Sequence, residues 1–382
     1  MDSKKRIAVS INLDWPTEKH HDIFAGIEQY AEENTDWILI WDHYPEIVLS
    51  SKPDYYDGIV GRLSDEAIQK INDLNLPAVN VWHNQQKKFP SNVVQDCIKM
   101  GEKAADYLIK RGYKSLVHIG YGDQISTDDF HTGVEKIAKH YSIPVLRKEI
   151  LLLIDENIDE WGQFQRNFNS WISEWNLPIG IATSDCALAL KCVSKLNEHD
   201  IKIPDQVGIV TAGNDIVYCE KFRPTITSIA QNNFQVGLEA AKKLHLKMSG
   251  QSVDNMTYIP PGEIIPREST DSYIVHDENV KAALRFIAGN FQKIIQVSDV
   301  VGNVDISRRT LEKRFIEEVG HSMLTEINLL RVNALKRQLK NSSKSLKQLS
   351  NEIGFSSDSH LIRVFKKLEG ITPDQYRKHS KN

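Results

Sequence analysis

No stretch of this 382-residue chain approaches the roughly 18 consecutive apolar residues that a membrane helix needs, so no membrane partner is expected. There is no low-complexity tract. Cysteine is scarce: Cys97, Cys186, Cys192 and Cys219 include no CxxC pair, which argues against a disulfide framework or a zinc finger. No GxxxxGK[ST] loop is present, no GxGxxG follows a strand, and GxSxG is absent. The pair His20–His21 is not followed by metal-ligand spacing, so no metal and no cofactor are expected. Ser, His and Asp are scattered without the order of a triad. No catalytic residue is assigned, and an enzyme is not expected. The opening MDSKKRIAVSINLDW begins like a signal peptide, but Asn12 and Asp14 break its apolar core early. It reads as the first strand of a cytoplasmic protein.

What is present is ordinary globular composition, 41% apolar and 26% charged. The length suits two or three domains. Net charge is −4. Its distribution is uneven. From Asp277 onward Lys and Arg outnumber acids, and the preceding residues are acidic in balance. An acidic body with a basic tail suggests a nucleic-acid-binding end on a carrier domain. A small lysine-rich helical domain would show the same balance.

The first 275 residues alternate β-rich and helical runs. RIAVSINL, WILIWDHY, YDGIVGRL and PAVNVWHN read as strands, and VQDCIKMGEKAADYLIKRG as a long amphipathic helix stopped at Gly112. SLVHIGYG restarts the alternation, which continues through IGIATS and QVGIVTAG to the helix NNFQVGLEAAKKLHLKMSG. Strands alternating with helices predict parallel βαβ sheets in two α/β lobes. In open α/β sheets ligands sit beyond the carboxyl ends of the strands. Those ends carry Asn12, Asp14 and Trp15; His83 and Asn84; Tyr121 and Asp123; Ser184 and Asp185; Asn214 and Asp215. Carboxylates and amides fix hydroxyl groups and an indole covers an apolar ring face, so the mixture suits a small polyol. Asp14, Asp185 and Asp215 could equally cap the helices that follow.

The body resembles the LacI/GalR-type sensor, a two-lobed periplasmic-binding-protein-like fold. The resemblance lies in DCIKMGEKAADYLIKRGYKSLVHIG and in IPDQVGIVTAGNDIVYCEKFRPTITSIAQNNFQVGLEAAKKL. It implies that Asp96, Trp161, Asp185, Asn214 and Gln231 line or flank an effector pocket, with Trp161 stacking on the ligand ring. Two anchors of that family are replaced: Phe130, before Gly133, stands where an Arg is usual, and Gly213 precedes Asn214 where the family has an Asp. The DNA-binding helices that usually precede this sensor are not expected ahead of the first strand.

A proline-bearing segment, TYIPPGEIIPREST, reads as an extended connection or strand edge. Beyond it only helical patterns remain. VSDVVGNVDISRRTLEKRF and LKQLSNEIGFSSDSHLIRVF align as a repeat. Each has a short helix, an apolar turn residue (Ile306, Phe355) and a Leu-x-x-x-Phe pair (Leu311/Phe315, Leu361/Phe365). That pair pins a second helix to the core and leaves its other face outward, as in a helix-turn-helix recognition helix. Ser307 is a good N-cap for the first of them.

The tail resembles the AraC-type DNA-binding domain, whose C-terminal signature is satisfied from Arg331 to Pro373. The resemblance implies double-stranded DNA as partner and base-reading positions at Arg309, Glu312 and Lys313, then Asp358, Ser359, His360 and Arg363. Arg308, Arg314, Lys366, Lys367 and Arg377 are better placed as phosphate clamps or solvated charge. The expected organisation is a two-lobed sensor over residues 1–275 and a helical domain over 276–382. Its helix-turn-helix units fall at about 297–319 and about 346–369. Sensor before tail is an uncommon order that resembles the regulators of xylose operons. It implies a homodimeric, sugar-responsive activator with D-xylose favoured as effector and RNA polymerase as target. Rival readings are a sensor that serves dimerisation or a non-sugar ligand, and an α/β enzyme with a regulatory tail.

Overall fold

The structure, a computed structural model, describes residues 4–14, 18–83, 89, 91–122, 124–151, 160–271, 275, 277–341 and 344–379. The chain divides into two compact units that part at residues 272–273.

The first unit holds two α/β lobes, each built on a six-stranded sheet. In the N-terminal lobe the strands are β1 (Arg6–Ser10), β2 (Ile38–Trp41), β3 (Gly58–Gly61), β4 (Ala78–Asn80) and β5 (Asn92–Gln95). Helices α1 (Glu18–Asn34), α2 (Pro45–Ser51) and α3 (Asp65–Leu74) connect them. The C-terminal lobe follows with α4 (Cys97–Lys110), β6 (Leu116–Gly122), α5 (Ile125–His140), β7 (Val145–Leu151) and α6 (Glu160–Ser173). It continues through β8 (Ile179–Thr183), α7 (Cys186–Glu198), β9 (Val207–Ala212), α8 (Ile216–Glu220) and β10 (Thr227–Ile229). The chain then returns to the first lobe with α9 (Asn233–Met248) and β11 (Met256–Ile259), and ends in the second with β12 (Ile264–Ile265). The orders are β11-β5-β4-β3-β1-β2 and β12-β10-β9-β8-β6-β7. All pairs are parallel except β10 with β12. This is the two-lobed parallel architecture expected from the alternation of strands and helices.

The central strands β3, β8 and β9 are buried along their whole length. Helices cover both faces, which is why these strands read as apolar runs rather than alternating ones. Two helix pairs approach closely through glycine. A Cβ on Gly26 of α1 would lie 2.1 Å from the Phe234 carbonyl oxygen, and one on Gly237 of α9 1.9 Å from that of Ile23. Gly101 of α4 and Gly133 of α5 repeat the device in the second lobe, against the carbonyls of Phe130 and Ile98. Any side chain at these positions would drive the helices apart.

Three segments pass between the lobes: β5 into α4, β10 into α9, and β11 into β12. The Asp96 N–H donates to the Ile259 carbonyl, and the Asn232 amide to the Pro260 carbonyl. The proline-bearing segment is therefore no free linker. It supplies an edge strand to each sheet and then Arg267, whose guanidinium enters the second lobe.

The second unit is all helical: α10 (Glu278–Asn290), α11 (Val297–Val301), α12 (Arg308–Val319), α13 (Met323–Asn341), α14 (Leu346–Ile353), α15 (Asp358–Glu369) and α16 (Pro373–His379). It has two cores. One gathers Val280, Ile287, Val300, Leu311, Phe315 and Ile327, the other Leu335, Leu349, Ile353, Phe355, Leu361 and Phe365. The long helix α13 contributes to both. Ser307 and Ser357 cap α12 and α15 by accepting from Thr310 and His360 N–H, and Gly320 and Gly370 end them in the left-handed conformation.

Candidate functional site

In open parallel sheets the ligand cleft lies beyond the carboxyl strand ends, and groups from both lobes come together there. Past β4, His83 Nε2 lies 2.8 Å from Asp129 Oδ2 on α5 of the other lobe. Burial disfavours the charged ring, but the Asp129 carboxylate and Cys97 outweigh it and raise the His83 pKa to about 9. At neutral pH this is an imidazolium–carboxylate pair joining the lobes. Lys19, in the first turn of α1, keeps a solvent-exposed surface, while the protein around it lowers its pKa. Cys97 and Asp185 act on it in the opposite sense, and Arg62 adds to the lowering. Lys19 makes no hydrogen bond or ion pair among the described residues. The Arg62 guanidinium stacks 4.1 Å from the Trp82 ring centroid.

Several expected ligand residues are engaged locally. Asp185 Oδ1 accepts from Ala187 and Leu188 N–H and so caps α7; burial raises its pKa. Asp215 caps α8 and Asp96 accepts from Lys99 N–H. Asn12 Oδ1 accepts from Asp14 N–H, and its carbonyl accepts from His20. Asp14 itself is exposed. Asn214 Oδ1 accepts from Ser228 Oγ at 2.7 Å and Arg267 Nη2 at 2.6 Å. Gln231 has an amide with no hydrogen bond among the described residues. Trp15, Asn84 and Asp123 lie outside the described residues, as does the side chain of Trp161, whose backbone is in α6.

The two replaced anchors have structural explanations. Phe130 is 1% exposed and packs its ring 5.2 Å from His118, inside the lobe. Gly213 has φ +83, a left-handed conformation in which a side chain would be strained. Tyr121, expected at the rim, packs on the α6 side of the sheet.

In the helical unit, Leu311, Phe315, Leu361 and Phe365 are fully buried, as the repeat requires. Arg309, Lys313, Asp358, Ser359, Arg363, Lys366 and Lys367 are exposed. Arg308 Nε donates to Glu312 one turn on at 2.8 Å. Arg314 departs from the expected phosphate clamp: its guanidinium donates at 2.6 Å to Asp277, the N-cap of α10. Arg377 donates to the Lys344 carbonyl. His360 is half-buried, accepts or donates at Ser356 and meets Phe355 edge-on. Burial first, then Arg363 and Arg331, lower its pKa. On α15, Ser359, Ile362, Arg363, Lys366 and Lys367 line a shallow hollow of about 510 Å³.

Residues 301–379 match the helix-turn-helix domain family and residues 105–270 the periplasmic binding protein-like domain family. The chain is a DNA-binding transcription regulator with an AraC-type helix-turn-helix domain and a periplasmic binding protein-like body. It is 25% identical to the xylose operon regulatory protein of Escherichia coli K12 over 98% of this chain and 97% of that protein. The Haemophilus influenzae protein of the same description is 24% identical, over 93% and 94% of the two chains. A solved xylose-binding transcription activator, xylR, superposes with a TM-score of 0.62 at 23% identity, covering 99% of each chain. Such relatives are regulators and not enzymes, in keeping with the missing catalytic motifs.

Several residues of this regulator's cleft escaped the sequence reading. Lys19 and Asp129 belong to helices with no strand-end position, Arg62 stands at the end of β3 but inside the run read as strand, and Arg267 lies in the segment read as an extended connection or strand edge. Only the strand-end rule could have found Trp82, adjacent to His83.

Proposed function

We propose that this protein is a sugar-responsive activator of catabolic genes, with D-xylose as its favoured effector. In this reading residues 1–275 sense the sugar and residues 276–382 read DNA, through units at about 297–319 and about 346–369. Asn12, Asp14, Trp15, His83, Asp96, Trp161, Asp185, Asn214 and Gln231 surround the effector. Arg309, Glu312, Lys313, Asp358, Ser359, His360 and Arg363 address bases, while Arg308 and Lys367 address phosphates.

The observation that carries the reading is the His83–Asp129 pair joining the lobes of two parallel sheets, in one chain with two helix-turn-helix units. The descriptions of its relatives support xylose. An effector acts only through unequal affinity for open and closed lobes. Closure then favours one arrangement of a homodimer on adjacent half-sites, where RNA polymerase is engaged, in the cytoplasm with the chromosome. A sensor retained for dimerisation is the second reading, favoured by the buried Phe130.

Thermal unfolding against a panel of pentoses and hexoses tests this. At 100 times Kd an effector stabilises the sensor by about 2.7 kcal/mol. No shift with any sugar overturns the reading. The His83 latch adds a pH signature. Its pKa is raised on folding from 6.5 to about 9, so its contribution is complete below 6.5 and lost as pH rises through about 9. Small-angle scattering should show the lobes opening over that range, and His83→Gln should remove the pH dependence.

A further inference from the structure

Two of the four cysteines meet inside the second lobe. Cys186 Sγ and Cys219 Sγ are 3.9 Å apart, although 33 residues separate them in sequence. Cys186 is the first residue of α7, directly after its cap Asp185, and is 7% exposed. Cys219 lies in α8, fully buried. The other two cysteines are placed differently: Cys192 is sealed in the lobe core, and Cys97 sits 3.9 Å from His83 Nδ1. The pair has an environment that favours one negative charge. The neighbouring Cys186 thiol lowers the Cys219 pKa, burial opposes this, and Arg267 and Ser228 add to the lowering. Arg267 is fixed there by Ile226, Ser228, Asn214 and Glu220. A thiolate beside a thiol at van der Waals distance is the arrangement that oxidises to a disulfide.

We propose that Cys186 and Cys219 form a reversible disulfide that couples the second lobe of the cleft to peroxide. Hydrogen peroxide, a molecule little larger than water, reaches the pair past Cys186, the less deeply buried of the two thiols. The Cys219 thiolate attacks one peroxide oxygen, the O–O bond breaks, and the departing hydroxide takes a proton to become water. The Cys186 thiol then attacks the resulting sulfenic sulfur. The S–S bond forms, the S–O bond breaks, and the hydroxyl leaves with the thiol proton as a second water. Two thiols have lost two electrons and two hydrogens, and one peroxide has become two waters. A dithiol reductant reverses the change by exchange.

The consequence reaches the rim. An S–S bond of about 2.0 Å is much shorter than the present separation. Closing it draws the start of α7, with Asp185, toward α8, whose N-cap Asp215 follows Asn214. The Cys186 sulfur also abuts the strand end, lying 3.3 Å from where a Cβ on Gly213 would be. Oxidation therefore shifts the floor on which Asp185, Asn214 and Gln231 stand. That this alters effector binding rests on the cleft being the effector site; formation of the bond does not.

The test uses the full chain, oxidised with hydrogen peroxide, then denatured for thiol counting and digested for peptide mapping. The expected result is a fall from four free thiols to two, one cross-linked peptide joining Cys186 to Cys219, and full recovery with dithiothreitol. Cys186→Ser should give no cross-link. Because the mapping is done on the unaltered protein, a variant that fails to fold does not affect the outcome. Four thiols remaining, or a link that uses Cys97 or Cys192, overturns the proposal. In a second arm the D-xylose-dependent rise in melting temperature is compared between oxidised and reduced protein, and it should shrink reversibly on oxidation. An unchanged rise overturns the coupling while leaving the bond. No rise even in the reduced protein is a failure of the effector reading, and the thiol count still decides the bond.

Discussion

The two helix-turn-helix units share a plan but not a surface. Both pin the second helix by a Leu-x-x-x-Phe pair, cap it with Ser and end it with a left-handed Gly. On α12, however, the cations are largely answered from within: Arg308 by Glu312, Lys313 by Glu317, and Arg314 by Asp277. On α15, Arg363, Lys366 and Lys367 have no ion pair among the described residues and flank the half-buried Ile362. A cation already paired gains less from a phosphate or a base, because the existing partner must be displaced. The repeat thus fixes two equivalent scaffolds, while the outward residues predict a larger share of DNA affinity for the second.

The largest effect should come from the buried phenylalanines. Phe315→Ala and Phe365→Ala should each cost roughly 3–5 kcal/mol, read by denaturant unfolding of the full chain. Their effects on DNA should differ: Phe365→Ala should abolish operator binding, and Phe315→Ala should leave a weaker complex. Equal residual binding would break the comparison. Next, Arg363→Ala should cost roughly 1–3 kcal/mol of specific binding and relax one base position in a selection experiment. Arg308→Ala, already tied to Glu312, should cost less, and an equal or larger loss would reverse the ranking.

The salt dependence sharpens the distinction. Lys367→Ala should reduce the slope of log K against log salt by about 1. Arg314→Ala should leave that slope unchanged and lower thermal stability instead, because its partner is the cap of α10. The smallest effect is one of pH. The folded state depresses the His360 pKa, so it resists protonation there. Stability of the second unit should be complete above pH 6.5 and decline as pH falls below it. His360→Asn should flatten that decline, measured by circular dichroism melts at pH 5 and pH 7.

The helical unit was the more legible half. Its caps, glycine stops and buried i, i+4 pairs are local signals, and each lies within a few residues of the element it governs. The body was legible in its alternation, since a strand covered on both faces advertises itself as an apolar run. The alternatives it left open were settled by non-local contacts. TYIPPGEIIPREST left an extended connection and a strand edge both open, and the sheets decide for the latter, since it adds an edge strand to each. Asp185 and Asp215 were placed at strand ends with helix capping as the alternative, and in the structure they cap α7 and α8.

What the sequence alone determined is the order of elements, the two-lobed α/β body, the paired recognition helices and the charge contrast between body and tail. Each follows from periodicity, caps and composition over short windows. Tertiary structure alone decided which charges meet. His83 and Asp129 are 46 residues apart, Asn214 and Arg267 53, and Cys186 and Cys219 33. Nothing along the chain marks these partners, because they are brought together by the crossover of segments between two sheets rather than by any spacing within one.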